Sequence, residues 1–320
     1  MRSSCVNCRE QHNRPPGLRQ TGPNRPEPPL TDYPPHGIDK RGGKTYPAMM
    51  LLTSDSRTRD DAGCRAPNAA ASKRYRYETH LHTAEASRCG RSPGAEMARH
   101  FHALGYAGIF VTDHFFNGNA AVPDDLPWRE RVEQFCLGYE AAAREGCRLG
   151  LDVFLGWEYS HGWAHLLTYG LGKEWLLAHP DLLDWNILDY LDRVHADGGV
   201  VVHAHPFREG VEPVTLFPAR VDAIEVANAG RDADCNRHAR DFALSFGLPQ
   251  TAGSDIHSTR QTRVCGILCS RRLVGGGDYL AALRTGEAVG FDTNLTVETA
   301  AAGSPATGAG PRAGRNTHNL

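Results

Sequence analysis

Glu78-Thr79-His80-Leu81-His82-Thr83 places two imidazoles two residues apart at the end of an apparent strand, Arg74 to His82. Side chains on a strand alternate faces, so His80 and His82 project the same way. Two convergent imidazoles suit a metal ion better than a packed core. Taken alone, the pair reads more simply as two surface histidines. Further candidates recur down the chain. His114 follows the apolar run Ala107-Gly108-Ile109-Phe110-Val111, and Glu158 follows Val153-Phe154-Leu155-Gly156-Trp157. His205 ends Val200-Val201-Val202-His203-Ala204-His205 ahead of Pro206, and Asp255-x-His257 follows Gly253-Ser254. Each also has a plain structural reading as a strand cap, strand end or turn residue. Glu158 is hardest to dismiss, because an unpartnered buried carboxylate is costly. Their recurrence at equivalent places in successive units points to a multinuclear metal site of imidazole nitrogens and carboxylate oxygens. Such donors suit Zn²⁺, Mn²⁺ or Fe²⁺.

The elements that must position these groups alternate between strand and helix from Tyr75 to about Asp292. Ser92 is placed to cap a helix with Pro93 at its first position and Met97, Phe101 and Leu104 on one face. A long helix carries Trp128, Val132, Phe135, Cys136 and Tyr139, with Gly146 near its end. His165 to Gly170 reads as a short strand. A helix from about Trp185 to Ala196 buries Leu188, Leu191 and Val194. A last strand, Val264 to Cys269, and a helix at Tyr279 to Leu283 complete the unit. This order argues for an α/β protein with a parallel sheet and helices outside. Ligand-type residues at five strand ends favour a barrel, which assembles its site at that end from several strands. An open sheet would gather them at one switch point.

The chain has 320 residues, enough for one large α/β domain or two smaller ones. Its formal net charge of -2 argues against a nucleic-acid binder by overall charge. No apolar stretch is long enough to span a bilayer, so no membrane partner is expected. Nine scattered cysteines favour a reducing cytoplasm over a disulfide scaffold. Cys5-x-x-Cys8 lacks a second pair and makes a weak zinc motif. Residues 1–74 are rich in Pro, Arg, Ser, Gly and Asn and read as a disordered extension. Met49 and Met50 offer an alternative start there, and acidic residues such as Glu10 interrupt any transit-peptide pattern. Residues 298–320 read as a disordered Ala/Gly-rich tail, which leaves 75–297 as the folded domain.

His80-Leu81-His82-Thr83, Thr112-Asp113-His114, Gly156-Trp157-Glu158-Tyr159-Ser160, Ala204-His205-Pro206 and Gly253-Ser254-Asp255-Ile256-His257 stand in one order. As a set, over about residues 76–292, they resemble the PHP (polymerase and histidinol phosphatase) superfamily. The resemblance implies a distorted, TIM-like seven-stranded (β/α) barrel with two or three divalent ions, usually hydrolysing phosphoesters. It assigns metal-ligand roles to His80, His82, His114, Glu158, His205, Asp255 and His257. A further histidine slot is better filled by His165 than by His161. One more slot follows the first motif, where Glu85 is favoured over Cys89. Cys89 would make zinc the expected metal.

Two metals can clamp the attacking and leaving oxygens of a phosphoester and furnish a metal-bound hydroxide at neutral pH. Glu85, Glu158 and Asp255 supply fewer negative charges than the ions supply positive ones, so the site attracts phosphate. Asp113 is expected to partner an imidazole from behind. His203, on one face with His205, is a candidate proton donor. Arg208 and Arg231 are candidates to grip a second phosphate or a carboxylate. The leading expectation is a phosphatase or phosphodiesterase acting on a small phosphorylated metabolite or nucleotide, with nucleic acid only as a short substrate. Two alternatives stand beside it. One is a non-catalytic metal-binding barrel whose basic N-terminal arm binds nucleic acid or an acidic partner. The other is a metal-assisted C–N hydrolase.

Overall fold

The computed structural model describes residues 74–293. The expectations for the N-terminal extension, its Cys5-x-x-Cys8 pair and arm, and the C-terminal tail lie outside them. The described residues form one nine-stranded sheet in the order β7-β6-β5-β4-β3-β2-β1-β8-β9. Its strands are β1 (Tyr75–Glu78), β2 (Gly108–Val111), β3 (Asp152–His161), β4 (Ala164–Tyr169), β5 (Val200–Ala204), β6 (Ala223–Asn228), β7 (Gln250–Gly253), β8 (Val264–Cys269) and β9 (Ala288–Thr293).

β1, β2 and β3 run parallel, as do β5, β6 and β7. β4 is antiparallel to both of its neighbours. The expected run of parallel strands is broken there because β3 returns through a two-residue turn at Gly162-Trp163, and tight turns join only antiparallel strands. Gly162 sits at φ 56°, where a side chain would be strained. Past their ladders, β1 and β7 meet through a parallel bridge between Leu81 and Ile256. His82 N–H donates to Ile256 O at 2.9 Å and Ile256 N–H to His80 O at 3.2 Å. This contact brings the two edges of β1–β7 together, so the sheet is a nearly closed, TIM-like barrel. β8 and β9 form an antiparallel extension on β1. β9 was not apparent in the sequence, where Ala288-Val289-Gly290-Phe291 lacks a clear alternation.

The helices are α1 (Gly94–Ala103), α2 (Trp128–Phe135), α3 (Leu137–Leu149), α4 (Lys173–Ala178), α5 (Ile187–Ala196), α6 (Ala233–Ser245) and α7 (Gly276–Thr285). The single long helix expected through Cys136 is two helices, with Cys136 ending one and opening the next. On α5 it is Tyr190, Leu191 and Val194 that are buried, whereas Leu188 lies exposed. Strand alternation separates two apolar layers. Phe110, Leu167, Tyr169, Val202 and Ala204 pack inside the barrel with Tyr279 of α7. Trp157, Tyr159, Leu166, Val201 and Ile224 face outward beneath α2, α5 and α6. α1 packs with Ile109, Val111 and Ala142 of α3.

Candidate metal centre

β1 ends at Glu78, and the Leu81–Ile256 bridge then holds the chain extended, which aims His80 and His82 inward together. Their ring centroids are 5.1 Å apart. His114 follows β2 and is bridged to Glu158 of β3 through their backbones. On β3, Glu158 pairs with inward-facing Leu167, so its carboxylate enters the barrel mouth. His165 of β4 stands on the same face. His205 and Asp255 both sit at positive φ, 26° and 52°. Such backbone is rare for residues other than glycine and clusters at functional sites. Here it turns both side chains off their strand ends toward the others.

The groups converge in overlapping sets whose ligand atoms lie within 4.8 Å of one another: His80, His205 and Asp255; His80, His82 and Glu158; His114, Glu158 and His165; and His82, His114 and His257. Glu158 lies at the centre. Its Oε1 is 2.5 Å from His165 Nδ1 and 3.3 Å from His205 Nε2, and its Oε2 is 2.6 Å from His114 Nδ1. Asp255 Oδ1 is 3.2 Å from His82 Nε2 and 3.5 Å from His80 Nε2. Burial disfavours charge on both carboxylates, yet the surrounding imidazoles hold each well below the usual carboxylate range. His114 and His165 do so for Glu158, and His80 and His82 for Asp255. Burial also disfavours charge on His80, but Glu225 and Asp255 carry it well above the ordinary histidine range. His82 goes the other way, pushed down to about 3 by burial and by His114.

Outer groups fix which nitrogen of each ring faces inward. His80 Nδ1 is 3.0 Å from Glu225 Oε1 and donates to it, which turns Nε2 toward the cluster. Glu225 also accepts from His205 N–H at 3.0 Å and from Asn228 Nδ2 at 2.8 Å. His82 Nδ1 lies 3.3 Å from Ser87 Oγ, whose own proton goes to Asp113 Oδ1 at 2.6 Å. Asp113 further accepts from Thr83 N–H and Oγ1 at 2.6 and 2.7 Å. Its carboxylate bonds to none of the clustered side chains and supports His82 through Ser87, while its backbone carbonyl accepts from Glu158 N–H at 2.9 Å. His257 Nδ1 donates to Asp255 O at 2.8 Å. Below this layer, buried Glu78 accepts from the backbone N–H groups of His80 and Ser254.

The fit to a metal rests on what these outer bonds leave over. His80 Nε2, His82 Nε2, His114 Nδ1 and Glu158 Oε2 are buried without an aligned hydrogen-bond partner. An orphaned buried polar atom costs on the order of 1–3 kcal/mol, and four at one point is not a core arrangement. Imidazole nitrogens and carboxylate oxygens in this number are donors for divalent transition metals.

Three expectations need correction. Glu85 is not brought to the cluster; its carboxylate accepts from Gly94 N–H at 3.0 Å at the start of α1. Glu85 thereby does the work expected of Ser92, which instead donates to Glu96 Oε1 and leaves Pro93 at the cap position. Cys89 faces His114 and His257, and those two imidazoles outweigh burial to bring its thiol down to about 6. His203 does not share His205's surroundings, because the chain turns at His205. It pairs with outward-facing Leu166, lies 6.4 Å from the Phe217 ring, and has no partner on either ring nitrogen. Burial and the nearby His205 and His165 push it down to about 3.

Of the two arginines, Arg231 reaches the cluster, with Nη2 3.1 Å from Asp255 Oδ2. Arg208 lies on the loop after β5, 3.3 Å from Glu209, and its charge acts on His165. The sequence reading missed Glu225, Ser87 and Glu78 as positioning groups. Glu225 carried a signal, a lone acid inside Ala223-Ile224-Glu225-Val226-Ala227.

No family model matches the sequence, and no curated protein matches it. Solved structures do. A two-domain protein from Bacteroides vulgatus containing a predicted PHP-like metal-dependent phosphoesterase is similar at TM-score 0.53 and 16% identity, over 74% of this chain and 69% of that one. PsfC from Pseudomonas syringae is similar at TM-score 0.45 and 22% identity, over 65% and 88%. An amidohydrolase from Chromobacterium violaceum with bound sulfate and no metal is similar at TM-score 0.38 and 16% identity, over 57% and 87%. The first of these shows that the chain shares its fold with that protein.

Proposed function

We propose that this chain is a metal-dependent phosphoesterase of the PHP type, hydrolysing a small phosphorylated metabolite or nucleotide. The observation that carries the reading is the convergence of four orphaned, buried donor atoms on His80, His82, His114 and Glu158. Two or three divalent ions, Zn²⁺, Mn²⁺ or Fe²⁺, would supply Lewis acidity toward phosphoryl oxygens and a nucleophile from water at neutral pH.

The chain's own residues do the rest. His80, His82, Glu158 and Asp255 form the centre; His165 and His205 extend it on one side, and His114 and His257 on the other. Cys89, beside His114 and His257, would add a thiolate to that side, a soft donor that with imidazoles favours zinc. Glu225 and the Asp113–Ser87 pair hold the His80 and His82 rings in the tautomer that presents Nε2. Arg231 shares its guanidinium between Asp255 and the open mouth, where it can meet an anionic oxygen. Arg208 offers a second cation across the site. No described helix is long and apolar enough to cross a membrane. Cys89, Cys136, Cys235, Cys265 and Cys269 are held as thiols, as expected of a reducing cytoplasm.

The test is a panel of phosphomonoesters and phosphodiesters incubated with protein loaded with Mn²⁺, Zn²⁺ or Fe²⁺. Phosphate or alcohol release that EDTA abolishes is expected. No turnover of any member by fully loaded protein would contradict the proposal.

A further inference from the structure

Cys89 lies between β1 and α1, on a loop fastened to two of the segments that build the cluster. Arg88 N–H donates to Asn119 O at 3.0 Å, on the loop that follows His114. Arg91 N–H donates to His257 O at 2.7 Å. Ser87 N–H returns to Thr83 O at 3.1 Å and Gly90 N–H to Ser87 O at 3.0 Å, so residues 83–90 curl back past the end of β1. The curl is tight. A Cβ on Gly90 would fall 2.1 Å from Thr83 O, so glycine alone fits there. Cys89 is thereby fixed between the His114 and His257 segments, and its thiol faces both imidazoles.

The donors on this side differ from the rest. His82, His114 and His257 form one ligand set, and all of it is imidazole. His82 is fully buried, and its Nε2 has no aligned hydrogen-bond partner. Each of the other three sets contains a carboxylate, Asp255 in one and Glu158 in two. With Cys89 added, the imidazole set offers nitrogen and sulfur, whereas the others offer nitrogen and oxygen. A thiol that coordinates gives up its proton and becomes a soft, polarisable donor. Zinc is held well by imidazoles and thiolate together. Mn²⁺ is better matched by carboxylate oxygen and gains little from sulfur.

We infer that Cys89 makes the centre sort its metals. The position on Cys89, His114 and His257 selects zinc, while the positions around Asp255 and Glu158 also accept Mn²⁺ or Fe²⁺, so a chain offered both kinds of ion holds both. This rests on the metal centre of the phosphoesterase reading, whatever the bond hydrolysed.

Cobalt(II) reports the sulfur without turnover, because thiolate ligation adds an intense near-ultraviolet charge-transfer band that imidazole and carboxylate ligation lack. Titration of the full, metal-stripped chain with Co²⁺ should raise this band. One equivalent of Zn²⁺ should then bleach it, whereas a large excess of Mn²⁺ should leave it in place. The wild-type titration needs no variant. Cys89→Ser should lose the band while still binding cobalt, which assigns the sulfur among the cysteines of the chain. Loaded from limiting Zn²⁺ and excess Mn²⁺, the wild type should hold both elements by elemental mass spectrometry. Cys89→Asp, with oxygen in place of sulfur, should trade zinc for manganese. Cobalt bound without the band, an undiminished band in Cys89→Ser, or one zinc-to-manganese ratio shared by wild type and Cys89→Asp would overturn the inference and leave the hydrolase reading standing. A chain that sorts its metals in this way but turns over no phosphoester would overturn the hydrolase reading alone.

Discussion

At the scale of single residues, the cluster depends on groups that stand behind its histidines. Glu225 holds His80 Nδ1, the His205 backbone and Asn228 at once, so its charge is shared over three bonds. Outer partners of metal-binding histidines typically contribute about 10–100-fold in affinity. Glu225→Gln should therefore weaken zinc or manganese binding by roughly that factor, read by competition with a chromophoric chelator, while circular dichroism stays unchanged. Unaltered affinity would mean that His80 needs no anchor. Cys89 gives a second prediction. With its thiol brought down to about 6, it is largely thiolate at pH 7. Iodoacetamide should alkylate Cys89 in EDTA-treated protein well before Cys136, whose thiol burial pushes up to about 12. Metal loading should protect Cys89. Equal labelling with and without metal would place the thiol outside the ion's reach.

Elements position these residues by close approach. α3 lies so near the loop after β1 that a Cβ on Gly138 would fall 2.0 Å from Thr83 Oγ1. Thr83 is a hydrogen-bond partner of Asp113, so the helix and the His82 support share one contact. Gly138→Ala should cost about 1–3 kcal/mol by overpacking and reduce metal affinity as well, measured by denaturation and chelator competition. Stability loss without an affinity change would uncouple the two.

Asp222 ties three elements together. It accepts from Val201 N–H of β5 at 2.9 Å, from His195 of α5 at 2.9 Å and from Arg284 of α7 at 3.1 Å. Burial works against its charge, but these partners lower its pKa below the ordinary aspartate value of 3.8. A depressed carboxylate stabilises the fold above its unfolded value and stops doing so as pH falls through its folded value. Asp222→Asn should thus be less stable than wild type by about 1–2 kcal/mol at pH 7, and the gap should close below about pH 4. A gap that is constant with pH would assign the loss to packing instead.

Much of this layer was readable in the sequence, and the failures have physical reasons. The apolar runs at Ile109–Val111 and Val200–Val202 marked buried strands because both of their faces are covered. The split at Cys136 left no mark, since Trp128, Val132, Phe135 and Tyr139 keep one helical spacing across it. Glu85 took the role expected of Ser92 because a cap can be supplied from nine residues away, which local patterns do not reveal. His203 misled for the opposite reason. Strand periodicity put it on a face with His205, and only the positive φ at His205 breaks that relation.

At the scale of the described chain as a whole, the barrel explains why histidines and acids from six separate segments, spread from His80 to His257, meet at one mouth. The bridge between Leu81 and Ile256 ties the first segment to the last, and the cluster sits directly on that closure. A bound ion would join elements from both ends of the described chain. Ions that bind the folded state stabilise it by mass action, about 4 kcal/mol at a thousandfold excess over the dissociation constant. EDTA should accordingly lower the thermal midpoint by many degrees, and added metal should restore it. The clustering of these histidines and acids was legible because they recur at strand ends; the Glu225 and Ser87 supports were not, because they meet their histidines only through the folded chain.

The most direct measurement of the central claim is the metal content of the purified, metal-loaded chain by elemental mass spectrometry, compared with Glu158→Ala. Glu158 is within reach of His80, His82, His114, His165 and His205. The account predicts at least two tightly held divalent ions per wild-type chain and the loss of at least one of them in Glu158→Ala, with a folded barrel retained. A wild-type chain that holds no ion after loading, or a Glu158→Ala chain that holds as many as the wild type, would contradict it.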